Sequence, residues 1–486
     1  METVRATLGP KGWSAPVVAA LCAVALLLAR TAPHGPGLDS DGAQYLAAAA
    51  SLLEGRGWLG VDGEPYVLWP PLHPTLLALS GGLGLGQGER VVLLHSLALA
   101  ADALLAAWIA WRLSGSRASA GLASFAVVAL ALPAAAMAWS EAVFTTLVLA
   151  SLAALLRWQD RRSLGALAAL ATCCALALLQ RYVGVLLLVS VSLGLLVDRA
   201  GGTSGARLRR TLVVAALAAL PVVAWATRNA LLPSSPAARR GAASDSWGYD
   251  LRCALGQFIP RELDIAVLPE LGASALLLLG TIALLRRGAK CAEVAVAAFP
   301  LAFAAGLVAL RHLVEFDPIE SRLMSPAHAV ACVLGAVGVH RLVSARGRWW
   351  SIALLAGWLA LAAQRQVVTQ RSEFARAKSD GLGLYDNADW RASEALAALR
   401  SAPLQGLGFT NEPHALFLLA GLRARALPAR PAGYARLYER WSAESESPSW
   451  ILWFPFGGRA QLPLPEGGIA LERTASWADA ELWRRR

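Results

Sequence analysis

The feature that most constrains this chain is its succession of long apolar runs. A helix that crosses a bilayer needs about 20 mostly apolar residues. Runs that qualify, some only marginally, lie at 14–30, 90–111, 119–138, 142–156, 163–179, 182–197, 211–226, 271–285, 291–310, 324–340 and 349–364. By length and hydropathy this predicts about 11 transmembrane helices. The composition agrees: 56% of the residues are hydrophobic and only 16% are charged, where a soluble domain has about 25% charged. The fold class is therefore an all-α polytopic membrane protein through residue 364.

The arginines give the orientation. With the N-terminus inside, the inner loops carry Arg112 and Arg117; Arg157, Arg161 and Arg162; Arg199, Arg207, Arg209 and Arg210; Arg286, Arg287 and Lys290; and Arg341, Arg346 and Arg348. The short outer turns carry only Arg181 in one, and Arg311 and Arg322 at the ends of another. Basic residues gather on the cytoplasmic side of short loops, so the pattern supports a cytoplasmic N-terminus in the plasma (inner) membrane. Arg5 and Lys11 before the first run, without a clean cleavage site, read as a signal anchor.

An odd number of spans leaves the segment from 365 onward outside. Its pattern changes there. Ala392, Ala395, Leu396 and Leu399 fall on one helical face; 407–410 reads as a short strand; Asn411-Glu412-Pro413 reads as a helix start; and 450–454 reads as a buried strand. The expected organisation is a transmembrane module over 1–364, with outer loops at 31–89 and 227–270, followed by a small extracytoplasmic α/β domain over 365–486.

The six cysteines and seven histidines form no metal-binding spacing, so no metal site and no cofactor are expected, although a divalent ion is left open. His95 and Asp102 stand seven residues apart in one span, hence on one helical face, and are expected as a hydrogen-bonded packing pair facing the bundle interior. Membrane lipids are implied partners; no nucleic acid is.

The first outer loop, 31–89, is too long for a turn between spans. Asp39-Ser40-Asp41-Gly42-Ala43-Gln44-Tyr45 opens an amphipathic helix over 41–53, which Gly55-Arg56-Gly57 ends. Asp41-x-x-Gln44 has the form of a capping box. Trp58, Tyr66 and Trp69 are expected at the bilayer interface. Pro70-Pro71 starts a second short apolar helix, 72–84, lying on or dipping into that interface, with His73 as an interfacial side chain.

An Asp four residues before a Tyr, an Ala-rich helix, G-x-G-W, and then Y-x-x-x-P-P-L resembles the first outer loop of GT-C superfamily glycosyltransferases. The resemblance is closest to the branch of the aminoarabinose transferase of lipid A and the protein O-mannosyltransferases. Ser140-Glu141 resembles that family's S/T-E pair, and Arg322 with Pro326 its R-y-x-x-P motif. It covers roughly residues 14–365. Two positions depart: Gly42 stands where the aminoarabinose branch has a second acid, and Trp69 where it has Lys.

The resemblance implies a sugar donor linked to polyprenyl phosphate, transfer at the outer face to an acceptor that is a lipid, glycan or protein, and inversion at the anomeric carbon. It implies Asp41 as general base, with Asp39 or Glu141 as a possible second acid. Arg56, Arg181 and Arg322 are the candidates for the donor phosphate, which a guanidinium binds bidentately. Tyr45, Trp69, Pro70, Pro71 and His73 would shape the site. Simpler readings stand beside these. Asp41 and Asp39 could only cap, Glu141 could be solvated at a span end, Arg181 could reach headgroups, and Arg322 could pair with Glu320 or Asp317. A transporter or flippase of a lipid-linked saccharide competes, but it predicts internal repeats and midplane charges, and here only Asp102 lies deep. An inactive GT-C-like scaffold is the third alternative, consistent with the missing acid and Lys.

The topology has a direct check. Alkaline phosphatase fused after residue 60 or after 420 is expected to be active, and fused after 161 or 204 inactive; the reverse pattern for any pair would overturn the assignment.

Overall fold

Nine of the predicted spans fall within the residues that the computed structural model describes, which are 12–232, 247–256, 291–314, 318–344, 371–427, 437, 449–455 and 471–485. All nine are helices. The expected spans 271–285 and 349–364, most of the loop 227–270, and Glu315 and Asp317 lie outside the described residues. The helices are α1 (Ser14–Thr31), α2 (Ser40–Leu53), α3 (Leu72–Leu79), α4 (Gln87–Ser114), α5 (Arg117–Ala135), α6 (Glu141–Arg161), α7 (Leu164–Gln180), α8 (Gly184–Leu196), α9 (Ser204–Ala230), α10 (Trp247–Gly256), α11 (Cys291–Arg311) and α12 (Ser325–Ser344). Six of them, α1, α4, α5, α6, α9 and α11, are long and apolar enough to cross a membrane; α7 and α8 are shorter apolar helices. The marginal run 142–156 is the core of the 21-residue α6.

The chain forms two compact units: Met1–Ala32, Val67–His73 and Val92–Phe374 in one; Pro33–Tyr66, Pro74–Val91 and Ala375–Arg486 in the other. By packing, then, most of the first loop groups with the C-terminal part of the chain.

The first unit is a helix bundle with an Ala-rich core. Small side chains let apolar helices approach closely where no hydrophobic force separates helix from lipid. Serine hydroxyls add interhelical bonds: Ser124 Oγ donates to the Ala103 carbonyl at 2.7 Å and Ser119 Oγ to that of Ala336 at 3.1 Å. Polar pairs collect at the helix ends and follow the predicted alternation. At the end expected inside, Arg112 pairs with Asp160 and, at 3.6 Å, with Glu293, and Arg162 pairs with Asp198. At the opposite end, the buried Asp250 meets Arg311 at 3.2 Å and His312 at 3.3 Å, and Trp247 stacks on His312. His95 and Asp102 are both buried but do not bond to each other as expected. His95 Nδ1 donates to the Ala135 carbonyl at 2.8 Å, and Asp102 accepts from Thr146 Oγ1 at 2.7 Å. Neighbouring helices offer each a nearer partner than the seven-residue separation along α4.

The second unit is built on a five-stranded sheet. Its elements are α13 (Ala388–Arg391), α14 (Glu394–Ser401), β1 (Gly408–Thr410), α15 (Pro413–Ala420), β2 (Arg425–Ala426), β3 (Trp450–Trp453), β4 (Leu471–Ser476) and β5 (Glu481–Arg485), in strand order β2-β1-β3-β5-β4. β1 is parallel to β2 and β3, while β5 is antiparallel to β3 and β4. The α/β character and the proline opening α15 match the expectations from sequence, and the two expected strands are present, each shorter by one residue at one end. β3 is buried along its whole length, as a central strand covered on both faces should be. Of the expected interfacial aromatics, Tyr66 is instead buried, at 2% exposure. Its N–H donates to the Trp58 carbonyl at 2.9 Å, closing a small hairpin over 58–66.

Gly408 lies directly under Trp450, whose indole a Cβ at 408 would overlap. Gly408→Ala is therefore expected to destabilise this unit by about 1–3 kcal/mol or more, read as earlier limited proteolysis within 371–486 while the apolar helices stay protected.

Candidate active site

In the second unit, the candidate carboxylates sit at the start of α2. Asp39 has extended backbone, and its Oδ1 accepts from the Gly42 N–H at 2.9 Å, so Asp39 is the N-cap. Capping by Asp41, expected from the Asp41-x-x-Gln44 pattern, is thus corrected: the chain enters the helix two residues earlier. Asp41 stands in the first turn, half-buried. There the unpaired N–H groups of the helix start favour a carboxylate. Gln44, one turn on, takes no capping role either; its Oε1 accepts from the Val61 N–H at 3.3 Å, and its amide lies 3.5 Å from His414 Nε2. Tyr45 is buried. Arg56 is exposed and paired with Glu54.

The C-terminal segments hold this helix. The Asp386 carboxylate, buried at 4% exposure, accepts from the N–H groups of Gly383 (2.6 Å), Leu382 (2.7 Å) and Leu38 (3.2 Å). The Tyr385 N–H returns a bond to the Leu38 carbonyl at 3.0 Å. Farther along, Arg423 donates to the carbonyls of Ala47 (3.0 Å) and Gly60 (2.5 Å). Beside them Tyr385 OH donates to Glu412 at 3.5 Å and its ring stacks on His414. Burial pushes the Glu412 carboxyl up, against the opposing Tyr385 hydrogen bond, and burial lowers His414, against the Asp62 charge. The signal for Glu412 was its place before the helix-opening proline; Asp386, Tyr385 and Arg423 carried none.

In the first unit, Ser140 precedes α6 and Glu141 is its first residue. Glu141 is buried, at 2% exposure, so it is not the solvated end residue that composition allows. Arg181, which ends α7, lies 2.7 Å from Glu141 Oε1 and donates through the same Nη1 to Ser140 Oγ at 2.8 Å. Among the described residues no hydrogen bond is made by its Nε and Nη2, the edge with which a guanidinium grips a phosphate. Arg322 lies over the Trp139 indole, 5.1 Å from the ring centre.

His73 is fully buried, which corrects its placement as an interfacial side chain. Its Nδ1 is 3.0 Å from Gln180 Nε2, which also donates to the Ser140 carbonyl at 3.0 Å, and its ring lies 5.8 Å from that of His95. Burial, then the charges of His95 and Arg181, hold His73 well below its usual range. It is neutral near pH 7 and supplies no cation. Trp69 is half-buried and Pro70 buried, and α3 starts at Leu72 directly after Pro71. Among the described residues no group of three His, Cys, Asp or Glu is arranged to hold a metal ion.

By sequence, no family profile and no curated protein matches the chain. Solved structures do. ArnT from Cupriavidus metallidurans bound to undecaprenyl phosphate superposes with a TM-score of 0.65 at 14% identity, over 98% of this chain and 98% of that one. The apo state of the same protein gives 0.64 at 15%, over 97% and 98%. The oligosaccharyltransferase AglB from Archaeoglobus fulgidus, in complex with an inhibitory peptide and a dolichol-phosphate, gives 0.57 at 13%, over 92% of this chain and 69% of that one. At such identities the likeness is one of fold.

Breaking the Glu141–Arg181 pair leaves a charge without its counter-ion in a largely dry setting. Glu141→Gln is expected to cost about 3 kcal/mol, and the double change Glu141→Gln with Arg181→Gln less than that. Thermal unfolding in detergent compares the two.

Proposed function

We propose that this chain, which has the GT-C fold, is a glycosyltransferase that moves a sugar from a polyprenyl-phosphate donor to an acceptor at the outer face of the membrane. The observation that carries the reading is the end-to-end likeness to ArnT bound to undecaprenyl phosphate, joined to an acidic first turn in α2 where Asp39 already serves as the cap.

The bond from the anomeric carbon to the phosphate oxygen breaks as a bond to the acceptor oxygen forms. The leaving group, a phosphate monoester of the polyprenol, departs as a stable anion and needs little help. The acceptor hydroxyl is the weak partner, and its proton passes to Asp41. An aspartate with a reference pKa near 3.9 is ionised at neutral pH, and general-base help of this kind is worth about 10²–10⁴-fold. A single displacement inverts the anomeric centre. Arg181 is assigned to the donor phosphate, because one edge of its fork remains available while Glu141 and Ser140 fix the other. Arg322 is a second cation for the same charge. With Trp69 in place of Lys and His73 neutral, these arginines carry the phosphate grip. Glu141 is assigned to orienting Arg181, Asp39 to the cap, and Tyr45, Trp69, Pro70, Pro71 and His73 to shape.

Asp41→Asn keeps the size of the side chain and removes the base. It is expected to leave a folded, membrane-inserted protein with transfer reduced at least about 100-fold. Mass spectrometry of lipids and surface glycans from a deletion strain, complemented with either form, reads the outcome; full restoration by Asp41→Asn would refute the assignment.

A further inference from the structure

The C-terminal segments grip the chain immediately before the candidate base. Leu38, three residues before Asp41, is gripped through both of its backbone groups. Its N–H donates to Asp386 and its carbonyl accepts from the Tyr385 N–H. Its half-buried side chain packs against the apolar cluster that contains Tyr385, Trp390 and Leu396. Asp386 can do this because its own turn is prepared: the Leu382 and Gly383 amides share its two oxygens, and Arg391 donates to its carbonyl. At Gly383 a Cβ would collide with the Leu38 backbone, so only glycine lets the turn come this close. A buried carboxylate that accepts several backbone N–H bonds is a strong and directional anchor.

We infer that Asp386 is a positioning residue for the transfer reaction: it holds Leu38, and through the Asp39 cap it fixes where the Asp41 carboxylate stands. This rests on the reading of Asp41 as the base. From Leu38 to Asp41 the chain has no slack. Leu38 is clamped, Asp39 is held by its cap bond to Gly42, and Ser40 and Asp41 are already helical. The length of α2 is restrained by Arg423 at Ala47 and by packing against α15. A displacement of about 1 Å at a reacting group can cost about 100-fold in rate, so the grip at Leu38 translates directly into turnover.

The test uses the full-length protein in lipid nanodiscs and in the complemented deletion strain. In Asp386→Asn, amides over 36–42 are expected to exchange hydrogen at least about tenfold faster, while α6 and β3 keep their protection. The glycoconjugate lost with Asp41→Asn is expected to fall at least about tenfold per inserted protein. Adding excess lipid extract from the deletion strain, as the source of donor, should not restore it, because the defect lies in turnover and not in donor binding. Leu38→Ala, which leaves the Asp386 turn intact, should move both readouts in the same direction. Unchanged exchange at 36–42 in Asp386→Asn would overturn the clamp, and so would at least half of wild-type transfer in either variant despite loosening there. If Asp41→Asn itself keeps full transfer, the assignment of the base falls instead, and the exchange measurement still decides the clamp.

Discussion

A charged group inside a low-dielectric bundle must find an opposite charge or be neutral, and much of this architecture follows from that constraint. The helices of the first unit carry Ala, Leu and Val through their middles and, apart from His95 and Asp102 within α4, place most of their ionisable groups at the ends. At one end Arg112 is shared between Asp160 and Glu293; at the other, Glu141 is neutralised by Arg181. The second pair does more than cancel charge. Glu141 and Ser140 both engage the same nitrogen of Arg181, which sets the plane of the guanidinium and leaves its other edge pointing elsewhere. A buried acid at a helix start is costly unless the start itself and a cation repay it, and both are present.

The same constraint settles the state of the histidines nearby. Enclosed with His95 and close to Arg181, His73 stays neutral and acts as a hydrogen-bonding spacer to Gln180. The branch that this loop resembles places a lysine ahead of the two prolines, and this chain has Trp69. The positive charge is found on α7 and before α12 instead. Under the proposed function, the recognition of an anion would thereby move from a loop to the ends of packed helices.

Much of this was legible in the residues. Hydropathy located all nine described apolar helices, because a bilayer-spanning segment must be long and uniformly apolar whatever surrounds it. Arginine placement anticipated which helix ends meet. Pro413 announced α15, and the run 450–454 announced a buried strand. What failed were choices between near-equivalent local options. Asp39 and Asp41 can each cap α2, and only the extended backbone at Asp39 decides between them. Tyr66 and His73 look interfacial in a loop of aromatics and prolines, yet both are buried, since burial depends on elements distant in the chain. Asp102 was correctly expected to face inward, but its partner Thr146 lies on another helix. The Glu141–Arg181 pair was half visible: adjacent antiparallel helices bring the start of one beside the end of the next. Nothing local marks Asp386.

The bond between Leu38 and Asp386 joins residues 348 apart in sequence, and this has a consequence for how the protein is made. At about 5–20 residues per second, roughly 20–70 s separate the emergence of the first loop from that of the turn that receives it. During that interval every intervening span must be inserted while α2 waits without its dock. An incomplete chain released in this period would possess most of its membrane helices but not the Asp386 turn that holds Leu38. The hold of Asp386 on Leu38 is thus completed only in a chain translated almost to its end.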